Sequence, residues 1–181
     1  MSNPALLSSL SECDLSHEPK AAWYGVRVRS NYEKLTSEVL NAKGYEVYLP
    51  TYRARRQWSD RKVEKDLPLF AGYIFCRFDA LWRLPILTTP GVVSVLGGGN
   101  VPVPIPDSEI GAIRTAIESG LQVTPCAYLK EGQRVRVRRG PLEGVEGVLL
   151  RRKSDWRIVL SVEMLQRSVS IEMDRESVAA I

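Results

Sequence analysis

Leu69-Phe70-Ala71-Gly72-Tyr73-Ile74-Phe75-Cys76 is the most apolar run of the chain, closed off on both sides by charged residues. It reads as a strand, with Tyr73 and Phe75 on one face and Ile74, Cys76 and Phe78 on the other. A strand with one wet face alternates apolar and polar residues; here both faces are apolar, so the second must be covered by the domain itself or by a partner. Gly72 leaves a gap for close backbone approach.

The same pattern reading predicts a strand over Ala22 to Val28, then a helix opened by Ser30 as N-cap with Glu33 three residues on. Leu35, Val39 and Leu40 form that helix's apolar stripe, and Gly44 stops it. Tyr45 to Leu49 alternates as a strand. Residues 53–65 carry six basic and two acidic residues around Ser59-Asp60, the signature of a protruding charged hairpin whose Trp58 is available for stacking. Asp79 can cap a short helix bearing Leu81, Trp82 and Leu84. Val92 to Leu96 follows as a strand, Gly97 to Asn100 as a tight turn, and Asp107-Ser108-Glu109 opens a helix with Ile110, Ile113 and Ile117 at helical spacing. Residues 120–128 have no period and contain Pro125; they read as a linker of roughly 15–20 Å reach. Beyond it, short alternating strands with Gly-Pro turns predict a small curved β-barrel over 129–181.

Composition narrows the class. The chain has 181 residues, 44% hydrophobic and 25% charged, enough for one ordinary domain or two small ones. A net charge of +4 points to a polyanionic neighbour without the excess of a dedicated DNA binder. Cys13, Cys76 and Cys126 are odd in number and form no CxxC pair, which fits a reducing cytoplasm and offers no metal knuckle. No run reaches the length of a membrane span, and residues 1–20, Ser-rich with scattered leucines, read as a flexible tail or a short docking segment around Leu6, Leu7 and Leu10. A cytoplasmic, cofactor-free monomer away from membranes is expected. His17 is the only histidine, and no phosphate loop or nucleophile elbow occurs, so catalysis is not expected.

Gly132, Val135, Val137, Gly140-Pro141, Gly144 and Gly147 resemble a KOW motif in an SH3-like barrel. Ahead of them, Trp23-Tyr24, Leu69 to Phe75 and Gly91-Val92-Val93 with Gly97-Gly98 resemble the N-terminal domain of NusG-type elongation factors, the family that includes RfaH. The resemblance covers roughly residues 22 to 181. It implies an α+β protein: an N-terminal antiparallel sheet with helices on one face over 21–119, the 120–128 linker, and a KOW barrel over 129–181. The other face of the sheet would meet the clamp helices of the largest RNA polymerase subunit.

Matched position by position, the resemblance assigns Phe70, Tyr73 and Phe75, with Ile110 and Ile113, to the polymerase contact, and Arg29 to nucleic acid, here upstream or non-template DNA. Arg55, Arg56 and Lys62 join Arg29 on charge alone. Leu142, Met164, Leu165 and Arg167 align with the loops where the family docks a ribosomal protein or the terminator Rho. Ala71 stands where the family has Pro, and the Leu84-Pro85-Ile86 region lacks the His-Thr-Thr run of RfaH. Together with the Ser-rich extension, these departures imply a specialised paralogue. The rival reading is an RNA-binding or ribosome-associated KOW protein, with Arg134, Arg136 and Arg138 on one side of a strand.

Overall fold

The computed structural model describes residues 21–58, 61–98, 101–126, 128, 132–152, 155–173 and 177–181. Residues 1–20, including the leucines considered as a docking segment, lie outside the described residues. Four strands form the N-terminal sheet: β1 (Ala22–Val28), β2 (Glu46–Tyr48), β5 (Tyr73–Phe78) and β6 (Val92–Val95), in the order β2-β5-β1-β6. Strands β1 and β5 run antiparallel with Gly25 opposite Phe75 and Arg27 opposite Tyr73. Side chains facing each other in this register share a face, so Trp23, Gly25, Arg27, Tyr73 and Phe75 lie on one side. Tyr24, Val26, Val28, Ile74, Cys76 and Phe78 lie on the other, packed with Leu40 of α1 (Glu33–Ala42) and Ile86 of α2 (Leu84–Leu87).

The apolar run starts its strand later than its composition implies. Leu69 to Gly72 form a turn, with Gly72 at φ +82°, and β5 begins at Tyr73. The turn is tied to the neighbouring segment on both sides: Val28 N–H donates to the Gly72 carbonyl at 2.9 Å, and Gly72 N–H donates to the buried Glu33 carboxylate at 2.8 Å. That bond changes α1. Asn31 takes a left-handed φ of 66°, so the helix opens at Glu33 after Tyr32, and Ser30 does not cap it. The buried stripe is Glu33, Thr36, Ser37 and Leu40, whereas Leu35 is half exposed. Polar atoms are satisfied inside this layer, since Thr36 Oγ1 donates to the Pro90 carbonyl at 3.1 Å.

β3 (Thr51–Trp58) and β4 (Arg61–Pro68) form the expected hairpin. After β5, Asp79 accepts from Leu81 N–H at 2.9 Å and caps a single 3-10 turn, Ala80–Trp82, ahead of α2. Lys43 Nζ, at the end of α1, donates to the Pro85 carbonyl (3.0 Å) and to Thr89 Oγ1 (2.7 Å), pinning α2 in place. β7 (Gly97–Gly98) and β8 (Val101–Pro102) close a small ribbon. α3 (Asp107–Glu118) follows.

α3 corrects the expectation of helices on one face only. Arg114 of this helix stacks 5.1 Å from the Tyr48 ring centroid and pairs with Glu46 at 3.9 Å. Glu46 and Tyr48 lie opposite Arg77 and Phe75, on the Trp23 face. Ile110, Ile113 and Ala116 join the cluster of Trp23, Phe70 and Phe75. Helices therefore flank both sides of the sheet, because the second face is too apolar to be left to water.

The stretch expected to be a linker is also structured. β9 (Val123–Cys126) is the edge strand of a six-stranded antiparallel sheet. That sheet continues through β10 (Gln133–Val137), β11 (Glu146–Arg152), β12 (Asp155–Val162), β13 (Arg167–Glu172) and β14 (Val178–Ala180) in the order β14-β10-β11-β12-β13-β9. β9 pairs with β13, Ser168 opposite Cys126 and Ile171 opposite Val123, so Val123 enters the core. Pro125 is tolerated because β9 has a free edge. Only residues 119–122 separate α3 from this sheet.

Candidate functional site

The N-terminal sheet and the C-terminal sheet share one apolar core. Its buried members include Trp23, Phe70, Phe75, Ile110 and Ile113 from the first and Leu142, Leu160 and Leu165 from the second, with Tyr73, Leu96 and Met164 packed against them. Every residue assigned to the polymerase contact, and Leu142, Met164 and Leu165 from the other partner set, thus belongs to a single apolar cluster, with Tyr73 and Met164 at its half-buried edge.

Phe75 is fully buried, with its ring 5.6 Å from Phe70 in an edge-on arrangement and 6.2 Å from Tyr48. Burial pushes the Tyr48 hydroxyl up to about 12, more strongly than nearby Arg114 lowers it.

The contact between the two sheets is made by the turn joining β12 to β13. Gln166 sits there at φ +50°, and both its backbone N–H (3.1 Å) and its Nε2 (2.7 Å) donate to the Glu163 carbonyl. The turn presents Leu165 to β1: a methyl group added at Gly25 would lie 3.0 Å from Leu165 Cδ1 and 2.7 Å from Leu96 Cδ1. Two residues on, the Arg167 guanidinium lies 5.9 Å from the Tyr73 ring centroid, within cation–π range. Glu163 N–H donates to the Glu109 carboxylate of α3, and α3 lies against β12. Burial raises the Glu109 pKa above the ordinary carboxylate value, with the charge of Glu163 adding to the rise and the hydrogen bond opposing it.

Arg29 is exposed just after β1, anchored through its N–H to the Gly91 carbonyl at 2.8 Å. Arg55, Arg56 and Lys62 stand on the hairpin strands opposite Glu64, Val63 and Gln57, and their side chains lie outside the described residues. The structure does not bring Arg29 into the aromatic cluster. Arg134 and Arg136 both engage Glu146: Arg134 at 3.7 Å, and Arg136 through Nε at 3.0 Å and through a close Nη2 contact. These pairs hold the Glu146 carboxyl below its ordinary pKa. Among the described residues no group of His, Cys, Asp and Glu could hold a metal, and no helix is long and apolar enough to cross a membrane. Sequence reasoning missed the role of Gly25; its signal was a glycine at an inward position of a strand flanked by Trp23 and Arg27.

The family model described as "Transcription termination factor nusG" matches residues 21–114, the whole segment from β1 into α3. The chain belongs to the NusG family. Among curated NusG proteins, the transcription termination/antitermination protein of Escherichia coli strain K12 is 28% identical over 177 residues, covering 88% of this chain and 96% of the relative. That of Borreliella burgdorferi is 24% identical over 184 residues, covering 88% and 98%. Among solved structures, Thermotoga maritima NusG, described under the heading of a domain interaction, superposes with a TM-score of 0.50 at 24% identity, covering 90% of this chain and 98% of that one. The likeness is one of fold, and NusG architecture accordingly extends over most of this chain.

Proposed function

We propose that this NusG-family chain is a transcription elongation and antitermination factor that binds the clamp helices of RNA polymerase. The contact would use the sheet face bearing Tyr73 and its neighbours, and the C-terminal sheet would be a KOW-type SH3-like barrel that engages a ribosomal protein or Rho. The observation carrying this reading is the continuous aromatic and aliphatic face of Trp23, Tyr73, Phe75 and Leu96, far more apolar than one sheet needs, capped in part by a separate sheet. In this reading the described arrangement is a closed state, in which each binding surface covers the other. Arg29 and the basic hairpin would lie toward upstream or non-template DNA. The protein acts by binding, not by catalysis. Only a few anchors in such a face need supply most of the affinity.

Binding of the full chain to purified core RNA polymerase, by size-exclusion co-elution and fluorescence anisotropy, tests this. Saturable binding that weakens at least about tenfold in Tyr73→Ala is expected, together with read-through of a terminator in a purified transcription assay. Absence of binding at micromolar polymerase would overturn the reading.

A further inference from the structure

On the outer side of the α1–α2 layer, one short stretch exposes more apolar side chain than any other among the described residues: Leu81 is 68% exposed, Trp82 70%, Leu84 68% and Leu87 38%. We infer that this patch is the seat of the chain's own N-terminal leucines, Leu6, Leu7 and Leu10. The inference goes beyond the polymerase reading and does not depend on it.

The patch cannot turn inward. Arg83 keeps right-handed helical geometry between the 3-10 turn and α2, so Leu81, Leu84 and Leu87, spaced three apart, share one outer face beside Trp82. Ile86 takes the inner face, fully buried in the cluster of Tyr24, Val26 and Leu40, and the Lys43 bonds to Pro85 and Thr89 hold it there. Exposed apolar side chains grouped in this way mark a docking site.

Chain direction names the occupant. Ala22 opens β1 directly opposite Phe78, the last residue of β5, and both pack in the α1–α2 layer. The polypeptide ahead of Ala22 therefore meets the sheet at the end where β5 runs on through Asp79 into the patch. Neighbouring strands stand about 5 Å apart and three residues lead from Phe78 to Leu81, so Ala22 and Leu81 are separated by at most about 16 Å. The chain from Leu10 to Ala22 can reach about 40 Å when extended, more than twice the distance needed. The chemistry matches as well. Leu6, Leu7 and Leu10 offer branched side chains to the leucines and the Trp82 ring, and Glu12 and Asp14 follow them, opposite in sign to Arg83 between Trp82 and Leu84. Tethering at about millimolar effective concentration lets even a weak contact of this kind keep the patch covered.

Paramagnetic broadening in the full chain tests the contact. Cys126→Ser removes the half-buried thiol, Cys76 is buried, and a nitroxide is attached to Cys13, three residues after Leu10. Each tryptophan carries a ring fluorine, and Trp82→Phe identifies the Trp82 resonance. Circular dichroism melts confirm folding, and Cys126→Ala replaces Cys126→Ser if the latter fails to fold. The Trp82 signal should lose about half its intensity or more relative to the ascorbate-reduced sample, because tethering at millimolar concentration half-fills a site of millimolar intrinsic affinity. Leu6→Ser with Leu7→Ser and Leu10→Ser should at least halve that loss, and so should Leu81→Ser with Leu84→Ser from the patch side. Absence of broadening would overturn the inference. So would broadening that persists undiminished in either set of variants, since it would report the nearness of the tether alone. An equal mixture of nitroxide-bearing chain without fluorine and fluorinated chain without nitroxide separates a second copy from the chain's own leucines. Broadening as strong in that mixture would overturn the inference and give the patch to a neighbouring molecule.

Discussion

Truncating Phe75 tests the covered second face most directly. The side chain is fully buried, flanked by Phe70 edge-on at 5.6 Å and Tyr48 at 6.2 Å. It belongs to the cluster that includes Ile110 and Ile113 of α3. Phe75→Ala therefore opens a cavity bounded by a strand on one side and a helix on the other, which cannot both collapse into it. Such truncations cost about 3–5 kcal/mol. The two ring contacts, each worth about 0.5–1.5 kcal/mol beyond area, place this one in the upper half of that range. In a chain of this length each kcal/mol shifts the melting temperature by about 2–4 °C, so a drop of about 8–20 °C follows. Urea denaturation followed by circular dichroism reads the free energy, and a thermal melt the shift. Tyr73→Ala, at a half-buried ring on the rim of the same face, should cost clearly less. A loss below about 1 kcal/mol for Phe75→Ala would refute the reasoning, because the ring would then face solvent or a partner and α3 would not cover it. The pair of variants also separates stability from binding: Phe75 substitutions report on folding, Tyr73 substitutions on recognition.

Glu33→Ala leaves the Gly72 N–H without its acceptor at a left-handed turn and should destabilise the chain by about 1–3 kcal/mol in urea denaturation. Burial, aided by Glu46, pushes the Cys76 thiol up to about 12, so alkylation at pH 8 followed by mass spectrometry should leave Cys76 unmodified in the native protein. With Cys76 and Tyr48 both raised from 9.0 and 10.0 to about 12, stability should be fully present below about pH 9 and fall as pH rises towards 12, because the unfolded chain ionises first. Glu109 is half-buried where α3 meets the C-terminal sheet and lines one cavity with Glu163, Glu146, Arg134 and Tyr128. Its raised pKa means that, on the proposed closed-state reading, its proton should favour closure, which should be strongest below the ordinary carboxylate pKa and weaken as pH rises through the raised one. Interdomain fluorescence transfer between introduced dyes should show this dependence, and Glu109→Gln should flatten it while keeping an acceptor for the Glu163 N–H.

Period-2 alternation was enough to place Tyr73 and Phe75 against Ile74, Cys76 and Phe78, and the apolar spacing of Ile110, Ile113 and Ile117 was enough to place α3. What alternation could not supply was the identity of the cover. A doubly apolar strand reports that its second face is dry, but α3 and the β12–β13 turn reach it from more than thirty positions away, through contacts no local pattern encodes. The helix cap failed for a related reason. Ser30 and Glu33 have capping-box spacing, yet the Glu33 carboxylate is claimed by Gly72 across the sheet, and the left-handed Asn31 delays the helix. Residues 120–128 looked like a linker because Pro125 breaks any period, whereas a sheet edge accepts proline at no cost in hydrogen bonds. The residues assigned to the two partner surfaces fall, apart from Arg167, in one apolar cluster, and that convergence is a property of the tertiary fold alone.

The four residues between α3 and β9 have a mechanical meaning. Fully stretched, they span only about 13–14 Å. With β9 zipped to β13, a C-terminal sheet that parted from the first, as the proposed reading requires, would swing about this short connection without drifting away. The local concentration of the displaced turn would then stay at about millimolar or above. On that reading rebinding would be correspondingly fast once a partner lets go, and the closed arrangement would reset without a search. Peeling β9 from its neighbour would pay out additional chain and turn a hinge into a leash, at the cost of the pairing between residues 123–126 and 168–171.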